Sequence, residues 1–281
     1  MHVSTTSEAK EFAAAAGDWL ARRPVENNLL LSHALDPAGQ LPGDGPPAFA
    51  WVVDNDDEVV GAAWTQPPYR MSIAPMPADA AAALADEFAK SEVPLPGVNG
   101  AADTAAAFAA RWTEVTGQQS RRERDQWLMR CERATRPAVS SGQPRLARPD
   151  EAGQIAEWFA VTMRDSGLAP QTILRHTRHM AETQAADQRL IVWEDDGGVV
   201  GAAGWARPLH GVVRPSGVFV SPERRSGGYA AALLGEVTAR ALENGCDACV
   251  CTHYLAYAAM QAVVEKVGYH RVLDVTEYRF D

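Results

Sequence analysis

The sequence predicts an α/β (α+β) protein built from two tandem domains. The chain has 281 residues, of which 46% are hydrophobic, so it is long for one domain and can bury two cores. A short strand motif occurs twice, once in each half. Between the copies lies Thr135–Pro144, a stretch of Pro, Ser and Gly without apolar periodicity, which predicts a linker. The expected domains are therefore residues 1–134 and 145–281, joined by the linker 135–144.

The repeat is the main evidence for two related halves. Residues 59–64 read VVGAAW, and residues 199–205 read VVGAAGW, 140 positions later. An apolar strand pattern and an acidic turn precede each copy, at residues 51–57 and 191–196. A further strand and an alanine-rich helix follow each copy. The shared order of elements favours duplication over chance similarity of two hairpins.

The first half alternates between helical and strand patterns. Helices follow from apolar spacings of three and four residues, and strands from short β-branched or aromatic runs. Gly97 and Gly100 predict an interruption between the last two helices. The predicted helices are Ser7–Arg22, Asn27–Ala34, Pro77–Lys90 and Ala101–Thr116, and the predicted strands are Ala48–Asp54, Glu58–Gln66, Met71–Ala74 and Trp127–Cys131.

The second half repeats this alternation after the linker. The same spacing rules predict a helix from about Pro149 and a second helix at Pro170–Ala186. The predicted strands are Leu190–Trp193, Val199–Ala206, Val218–Val220, Gly245–Thr252 and residues of Arg271–Phe280, and the later helices are Ala230–Leu242 and Ala258–Val267.

The run from Gly217 to Leu242 predicts an anion site. A short strand is ended by Pro222, and Gly227 and Gly228 then lead directly into a strong helix pattern. The first turn of a helix carries unpaired N–H groups and the positive end of the helix dipole, which attract phosphates. Arg224 and Arg225 would add positive charge there. The alternative is that the two glycines only close a strand–helix loop beside solvated arginines.

The spacing within this turn is more specific than a glycine pair. Residues 225–230 read RSGGYA and fit the pattern Arg/Gln-x-x-Gly-x-Gly/Ala, after a hydrophobic strand and Pro222-Glu223. This resembles the acetyl-CoA-binding motif of the GNAT superfamily of N-acetyltransferases. The resemblance implies two tandem GNAT-like domains, each a mixed, mostly antiparallel sheet flanked by helices. The residues that it assigns to acetyl-CoA are Val218, Phe219, Val220, Arg224, Arg225, Ser226, Gly227, Gly228, Tyr229 and Ala230.

The implied reaction is transfer of an acetyl group from acetyl-CoA to a primary amine of an unidentified small molecule or peptide by direct attack. In this family, backbone amides of the turn bind the cofactor pyrophosphate and the preceding strand pairs with the pantetheine arm. A backbone N–H of the Phe219 strand would stabilise the oxyanion. A water chain to Glu223 or Asp165 is the candidate base.

The corresponding turn of the first half lacks these features. Residues 73–80 read IAPMPADA, without glycine or arginine, and Asp79 would stand in the first turn of the helix where a phosphate would otherwise bind. The first half is therefore expected to be a degenerate copy that does not bind CoA.

The general acid is missing from its usual place. Residues 263–269 read VVEKVGY and resemble the family's Leu-Tyr-Glu-Lys-Leu-Gly-Phe run, but Val264 replaces the tyrosine that protonates the thiolate. The candidate substitutes are Tyr257, His253 and Tyr254, with Tyr257 the first to test. The alternatives are that the tyrosines only line a pocket and that His253 is a polar surface residue. Val264 also keeps open a non-catalytic acyl-CoA-binding or regulatory protein.

Composition argues against several other classes. The net charge is −10, so a basic face for nucleic acid or for a membrane surface is not evident. The N-terminus lacks a signal-peptide pattern and no segment is long enough to span a membrane, so we expect a cytoplasmic protein. No metal is expected: Cys246, Cys249, Cys251 and His253 suggest zinc, but free cysteines in a sheet explain them better. His176 and His179 are explained equally well as a metal pair, a substrate lip or a solvated helix face.

Overall fold

A computed structural model describes residues 1–36, 42–91, 93–139 and 141–281. The chain forms two compact units: the first contains residues 1–128, 254–256 and 272–281, and the second contains residues 129–253 and 257–271. The helices are α1 (Ala9–Ala21), α2 (Asn28–Leu35), α3 (Ala78–Phe88), α4 (Ala102–Thr116), α5 (Ala152–Thr162), α6 (Pro170–Ala186), α7 (Tyr229–Glu243) and α8 (Ala258–Val267). The strands are β1 (His2–Thr6), β2 (Ala48–Val53), β3 (Val59–Thr65), β4 (Met71–Ile73), β5 (Gly97–Ala101), β6 (Ser120–Cys131), β7 (Gln143–Leu146), β8 (Leu190–Asp195), β9 (Gly198–Trp205), β10 (Val212–Val213), β11 (Pro215–Val220), β12 (Ala248–Tyr254) and β13 (His270–Phe280).

The first unit is a mixed sheet with strand order β1-β2-β3-β4-β5-β13-β6. The strands β1 to β4 pair antiparallel in sequence order, β4 and β5 run parallel, and β5 pairs antiparallel with β13. Helices α3 and α4 pack on the sheet through alanines and the large apolar side chains Leu84, Phe88, Phe108 and Trp112. This packing supplies the main core of the unit.

The second unit contains an antiparallel sheet of order β11-β9-β8-β7 and a parallel pair of β10 with β12. Side chains alternate along β8 because successive residues of a strand point to opposite faces. Leu190 and Val192 join the core beneath α5 and α6, whereas Ile191 and Trp193 join the core beneath α7. Helices therefore cover both faces of this sheet, and the predicted α/β class with mixed sheets flanked by helices is confirmed.

The two copies of the repeat form the same local structure. Val59–Thr65 and Gly198–Trp205 are the second strands of hairpins with β2 and β8. Each hairpin has a register shift at the same place, because Val52 pairs with Gly61 and Val53 with Val59, while Trp193 pairs with Gly201 and Glu194 with Val199. A bulge at the equivalent valines Val60 and Val200 is a structural counterpart of the sequence repeat.

The first unit contains two strands that the sequence patterns did not predict. Gly97 and Gly100 separate α3 from α4 as expected, but they do so within a strand, β5, where a side chain at Gly97 would meet the backbone oxygen of Tyr278. The segment His2–Thr6, for which no strand was predicted, pairs with β2.

The predicted domain limits differ from the two units at the ends of the second half. Residues 272–281, assigned to the range 145–281, belong to the first unit because β13 pairs with β5 from Val275 to Arg279. The predicted linker 135–144 ends within β7, and its position 140 lies outside the described residues.

Candidate active site

The site begins at β11, the edge strand of the second sheet. Within the described chain, β11 pairs with β9 alone, while β12 belongs to a different sheet. A bulge interrupts the β11–β9 ladder between Ser216 and Phe219, and Gly217 has φ +60°. A side chain at Gly217 would lie 2.6 Å from the ring of Phe159, so only glycine fits at this point. The strand therefore presents a bulged free edge, which re-aims its backbone groups.

The predicted cofactor residues on β11 divide between the edge and the core. Val218 is half-buried in the bulge, whereas Phe219 and Val220 are buried on opposite faces of the sheet. The ring of Phe219 stacks on Trp158 at 5.2 Å between centroids. The part of Val218 available at the edge is thus mainly its backbone. The side chains of Phe219 and Val220 anchor the strand in the cores on the two faces of the sheet.

The turn after β11 leads into α7 through left-handed backbone. Ser226 has φ +64° and Gly228 has φ +86°, and Gly228 is the N-cap of α7. The first helical bond runs from the Ala232 N–H to the Gly228 carbonyl, 3.1 Å away, so the amides of residues 229–231 precede the helical ladder. Because Gly228 has no side chain with which to cap them, these N–H groups suit an anion.

An acidic residue of the β8–β9 hairpin holds this turn. The Tyr229 hydroxyl donates to Asp195 Oδ2 at 2.8 Å, and the Arg224 guanidinium pairs with the same oxygen at 3.1 Å. Asp195 is only 4% exposed, and the hydrogen bond from Tyr229 together with Arg224 lowers its pKa. Arg224 also pairs with Asp196 at 3.1 Å. Sequence reasoning noted Asp195 only as part of an acidic turn and missed this contact.

The remaining residues of the turn are accessible. Arg225, Ser226 and Gly227 are exposed, and the Arg225 Nε–H donates to the Val220 carbonyl at 3.4 Å. Ala230 packs at the edge of the core beneath α7. Arg225 is therefore the arginine whose charge would be available to a pyrophosphate. The guanidinium of Arg224 is paired with two aspartates, Asp195 and Asp196.

The three candidate acids occupy different environments. Tyr257 is the N-cap of α8 and is 45% exposed, and its hydroxyl donates to Asp165 Oδ2 at 2.5 Å. The structure thus brings together the candidate acid and one of the candidate bases from 92 residues apart. Glu223, the other candidate base, is exposed in the turn.

His253 and Tyr254 are less accessible. The His253 ring is buried, with 3% exposed, and burial lowers its pKa, so the expectation of a polar surface residue is wrong. Tyr254 belongs to the first unit, where its hydroxyl donates to Glu277 Oε1 at 3.2 Å and the Arg124 guanidinium lies over its ring. Burial and the neighbouring Glu277 raise the pKa of Tyr254 to about 12.

Val264 lies on the buried face of α8 with 1% of its surface exposed. A hydrocarbon side chain carries no titratable proton, so this position supplies packing alone.

The equivalent turn of the first unit carries an acidic side chain at its helix start. The Asp79 carboxylate accepts the Ala80 N–H at 2.9 Å in the first turn of α3. The Met76 N–H is directed to Thr104 Oγ1 at 3.3 Å, and the Thr104 hydroxyl returns a bond to the Met76 carbonyl. A side chain at Gly100 would lie 2.8 Å from the Ile73 carbonyl oxygen, which shows how closely β5 approaches β4.

Burial shifts the pKa of two of the cysteines and of one of the two helix histidines. The four cysteines are free thiols, and burial raises the pKa of Cys249 and raises that of Cys251 to about 12. Burial, His179 and Arg214 lower the pKa of His176 to about 4. No cluster of three or more metal-ligating side chains occurs among the residues that the structure describes.

The fold and this turn define an α/β protein whose second unit has a free strand edge followed by a helix start without a side-chain cap. Residues 154–269 match the family model described as "Acetyltransferase (GNAT) family", so the chain contains a GNAT domain and the predicted resemblance is confirmed. Acetyl transfer is the general activity of that family. No curated protein matches the sequence.

Solved structures share the fold over the whole chain. One is an acetyltransferase from the GNAT family from Colwellia psychrerythraea, with a TM-score of 0.63, 10% identity and coverage of 100% of both chains. A GCN5-related N-acetyltransferase from Sphaerobacter thermophilus has a TM-score of 0.61 at 16% identity, covering 99% of this chain and 95% of its own. A tandem GNAT protein from the clavulanic acid biosynthesis pathway has a TM-score of 0.56 at 12% identity, covering 100% and 98%. Identities this low show the fold alone.

Across the described ranges, no helix combines the length and the apolar character that crossing a membrane requires.

Proposed function

We propose that the second unit binds acetyl-CoA at residues 218–230 and transfers the acetyl group to a primary amine of a small molecule or peptide. The observation that carries this proposal is the open start of α7. Gly228 places the amides of residues 229–231 ahead of the helical ladder without a side chain to cap them. These donors and the helix dipole suit a pyrophosphate. Arg225 is exposed beside them and adds positive charge.

The pantetheine arm would extend along the free edge of β11. An extended amide chain can add to an unpaired strand edge through backbone hydrogen bonds. The β11–β9 ladder is interrupted between Ser216 and Phe219, and a backbone N–H of this bulge would meet the thioester carbonyl. That N–H would stabilise the oxyanion formed when the amine attacks the thioester carbon directly.

Two proton transfers complete the reaction. The amine must lose a proton before or during attack, and the departing CoA thiolate must gain one. We assign protonation of the thiolate to Tyr257, which is exposed at the start of α8. We assign removal of the amine proton to Asp165, which accepts a hydrogen bond from the Tyr257 hydroxyl at 2.5 Å. His253 is less suited because burial keeps it neutral, and Tyr254 because its hydroxyl is directed to Glu277.

Buried Val264 favours a second candidate function, a non-catalytic acyl-CoA-binding or regulatory protein. The test is release of free thiol from acetyl-CoA over a panel of polyamines, amino acids, aminoglycosides and peptides. Turnover with sequential rather than ping-pong kinetics would support direct attack. Tight CoA binding without turnover across the panel would favour the binding protein.

The acid assignment has its own variant. Tyr257→Phe should lower kcat about 100-fold and leave the KM for acetyl-CoA unchanged, because general acid help typically contributes at least that much. Tyr278→Phe, a partly buried tyrosine of the first unit, is the matched control. Full activity of Tyr257→Phe would refute the assignment of Tyr257.

The cytoplasmic location expected from the sequence stays a prediction.

A further inference from the structure

The first unit contains a cavity of about 610 Å³ beside the turn that does not suit CoA. Its walls come from the end of α1, the turn after β4, the start of α4 and the middle of β13. The volume lies within the usual range of small-molecule sites, about 300–1,000 Å³. The side chains that determine its chemistry are Trp19, Arg23, Met76, Asp103, Leu273 and Asp274.

The turn that lines this cavity offers no amide suited to an anion. Pro75 and Pro77 have no N–H group. The Met76 N–H between them is directed to Thr104 Oγ1 at 3.3 Å. At the start of α3, Asp79 accepts the Ala80 N–H and places a negative charge where an anion would bind. The backbone that would bind phosphate in a cofactor turn is therefore unsuited to phosphate here.

The charged side chains of the wall favour a cation. Asp103 and Asp274 are both exposed carboxylates, and they outnumber the one lining cation, Arg23. Arg122, whose guanidinium lies near enough to Asp274 to interact with it, does not line the cavity and is bound to Asp125 at 2.6 Å. The two carboxylates on the wall would attract a ligand that carries a positive charge.

The apolar part of the wall indicates the body of that ligand. Trp19 is half-buried, so its indole is partly accessible, and an aromatic face attracts an ammonium group. Met76 and Leu273 add apolar surface, and a thioether also packs well against aromatic rings. We propose that this cavity binds a small organic ammonium compound with an apolar or aromatic body. Asp103 and Asp274 hold the ammonium group, and Trp19, Met76 and Leu273 hold the body.

The test is calorimetric titration of the full chain without CoA. The probes are phenethylamine and N,N-dimethylphenethylamine, which is protonated but cannot form a stable amide, so acetyl transfer in the second unit does not affect its readout. Phenethyl alcohol, 3-phenylpropionate and phenylalanine supply the uncharged, anionic and zwitterionic comparisons. Both amines should bind more tightly than all three.

The variants locate the binding. Asp103→Asn combined with Asp274→Asn should weaken the amines about tenfold, because two ion pairs are lost. Asp18→Asn removes the same kind of charge from exposed α1 surface outside the cavity wall and should change affinity less than about twofold. Trp19→Ala should weaken the amines without altering the charge, and unfolding midpoints show whether each variant is folded.

Several results would overturn the proposal. These are amine binding that is equal in the double variant and in Asp18→Asn, binding of phenethyl alcohol as tight as that of the amine, or no binding of either amine. Tighter binding of 3-phenylpropionate or phenylalanine would also overturn it, because Arg23 and not the carboxylates would then select the ligand. None of these results depends on whether the second unit transfers acetyl groups.

Discussion

The two units carry the same strand–turn–helix sequence of elements with opposite chemistry in the turn. In the second unit, β11 leads through Ser226 and Gly228 into α7 and leaves the first amides of the helix uncapped. In the first unit, β4 leads through two prolines into α3, and Asp79 places a carboxylate at the helix start. One turn presents N–H donors and the other presents acidic and apolar groups. The backbone path is therefore similar in the two units, while the side chains change the charge that each turn suits.

The hairpins next to these turns differ in the same way. In the first unit, Asp54 Oδ1 accepts the N–H groups of Asp56 and Glu58 and stabilises its own turn. In the second unit, Asp195 reaches out of its hairpin to Tyr229 and Arg224 and stabilises the candidate cofactor turn. An acidic turn of similar composition thus has a local role in one copy and a long-range role in the other.

The largest effect should come from filling the open helix start. Gly228→Val should raise the dissociation constant of CoA about 100-fold, because the side chain displaces a phosphate from two or more N–H donors. Calorimetry measures this, and wild-type protein should bind one CoA per chain, since Asp79 places a carboxylate at the helix start of the first unit.

A matched control lies at the other end of α7. Gly245 has φ +88°, close to the +86° of Gly228, and a Cβ there would meet no atom within 4 Å in the described chain. Gly245→Val should cost the same backbone strain of about 1–2 kcal/mol and leave CoA affinity unchanged. A stoichiometry of two, or CoA binding by Gly228→Val equal to wild type, would contradict the proposed difference between the turns.

The glycines of the repeat provide a second comparison. A Cβ at Gly201 would lie 2.6 Å from the backbone oxygen of Phe219, whereas a Cβ at Gly61 would meet the flexible side chain of Met76. Gly201→Ala should therefore lower the free energy of unfolding by about 2 kcal/mol, and Gly61→Ala by less than about 1 kcal/mol. Chemical denaturation, followed by amide exchange to assign each loss to its unit, measures the difference. Equal costs would mean that β11 yields as easily as a methionine side chain.

The sequence predicted the parts of the molecule that depend on local patterns. Residues 217–242 showed a strand, a glycine turn and a helix, and the structure has β11, Gly228 as N-cap and α7 in that order. The hairpins of the repeat were also predicted, since alternating β-branched residues and an acidic turn are local signals.

Features that depend on distant partners could not be predicted. Gly97–Ala101 forms a strand only because β4 and β13 lie on either side of it, and its glycines indicate a loop when considered alone. The Tyr257–Asp165 hydrogen bond joins residues 92 positions apart, and Asp195 lies 34 positions from Tyr229. No periodicity in the sequence encodes such pairings, because they depend on the packing of complete elements.

The smallest effect should come from removing the carboxylate that holds the turn before α7, because the glycines of that turn stay in place. Asp195→Asn should weaken CoA about fivefold, because the turn loses part of its preorganisation before the ligand binds. The pKa of Asp195 is held below its ordinary value of 3.8, so the carboxylate stabilises the fold at neutral pH and loses that effect as pH falls through the lowered pKa. The difference in Tm between wild type and variant should thus be full above pH 3.8 and shrink below it. Asp54→Asn, which removes the hairpin carboxylate of the first unit, should lower Tm without altering CoA affinity. Equal loss of CoA affinity in both variants would show that the effect of Asp195 is general destabilisation, since Asp195 contacts the turn and Asp54 stabilises its own hairpin.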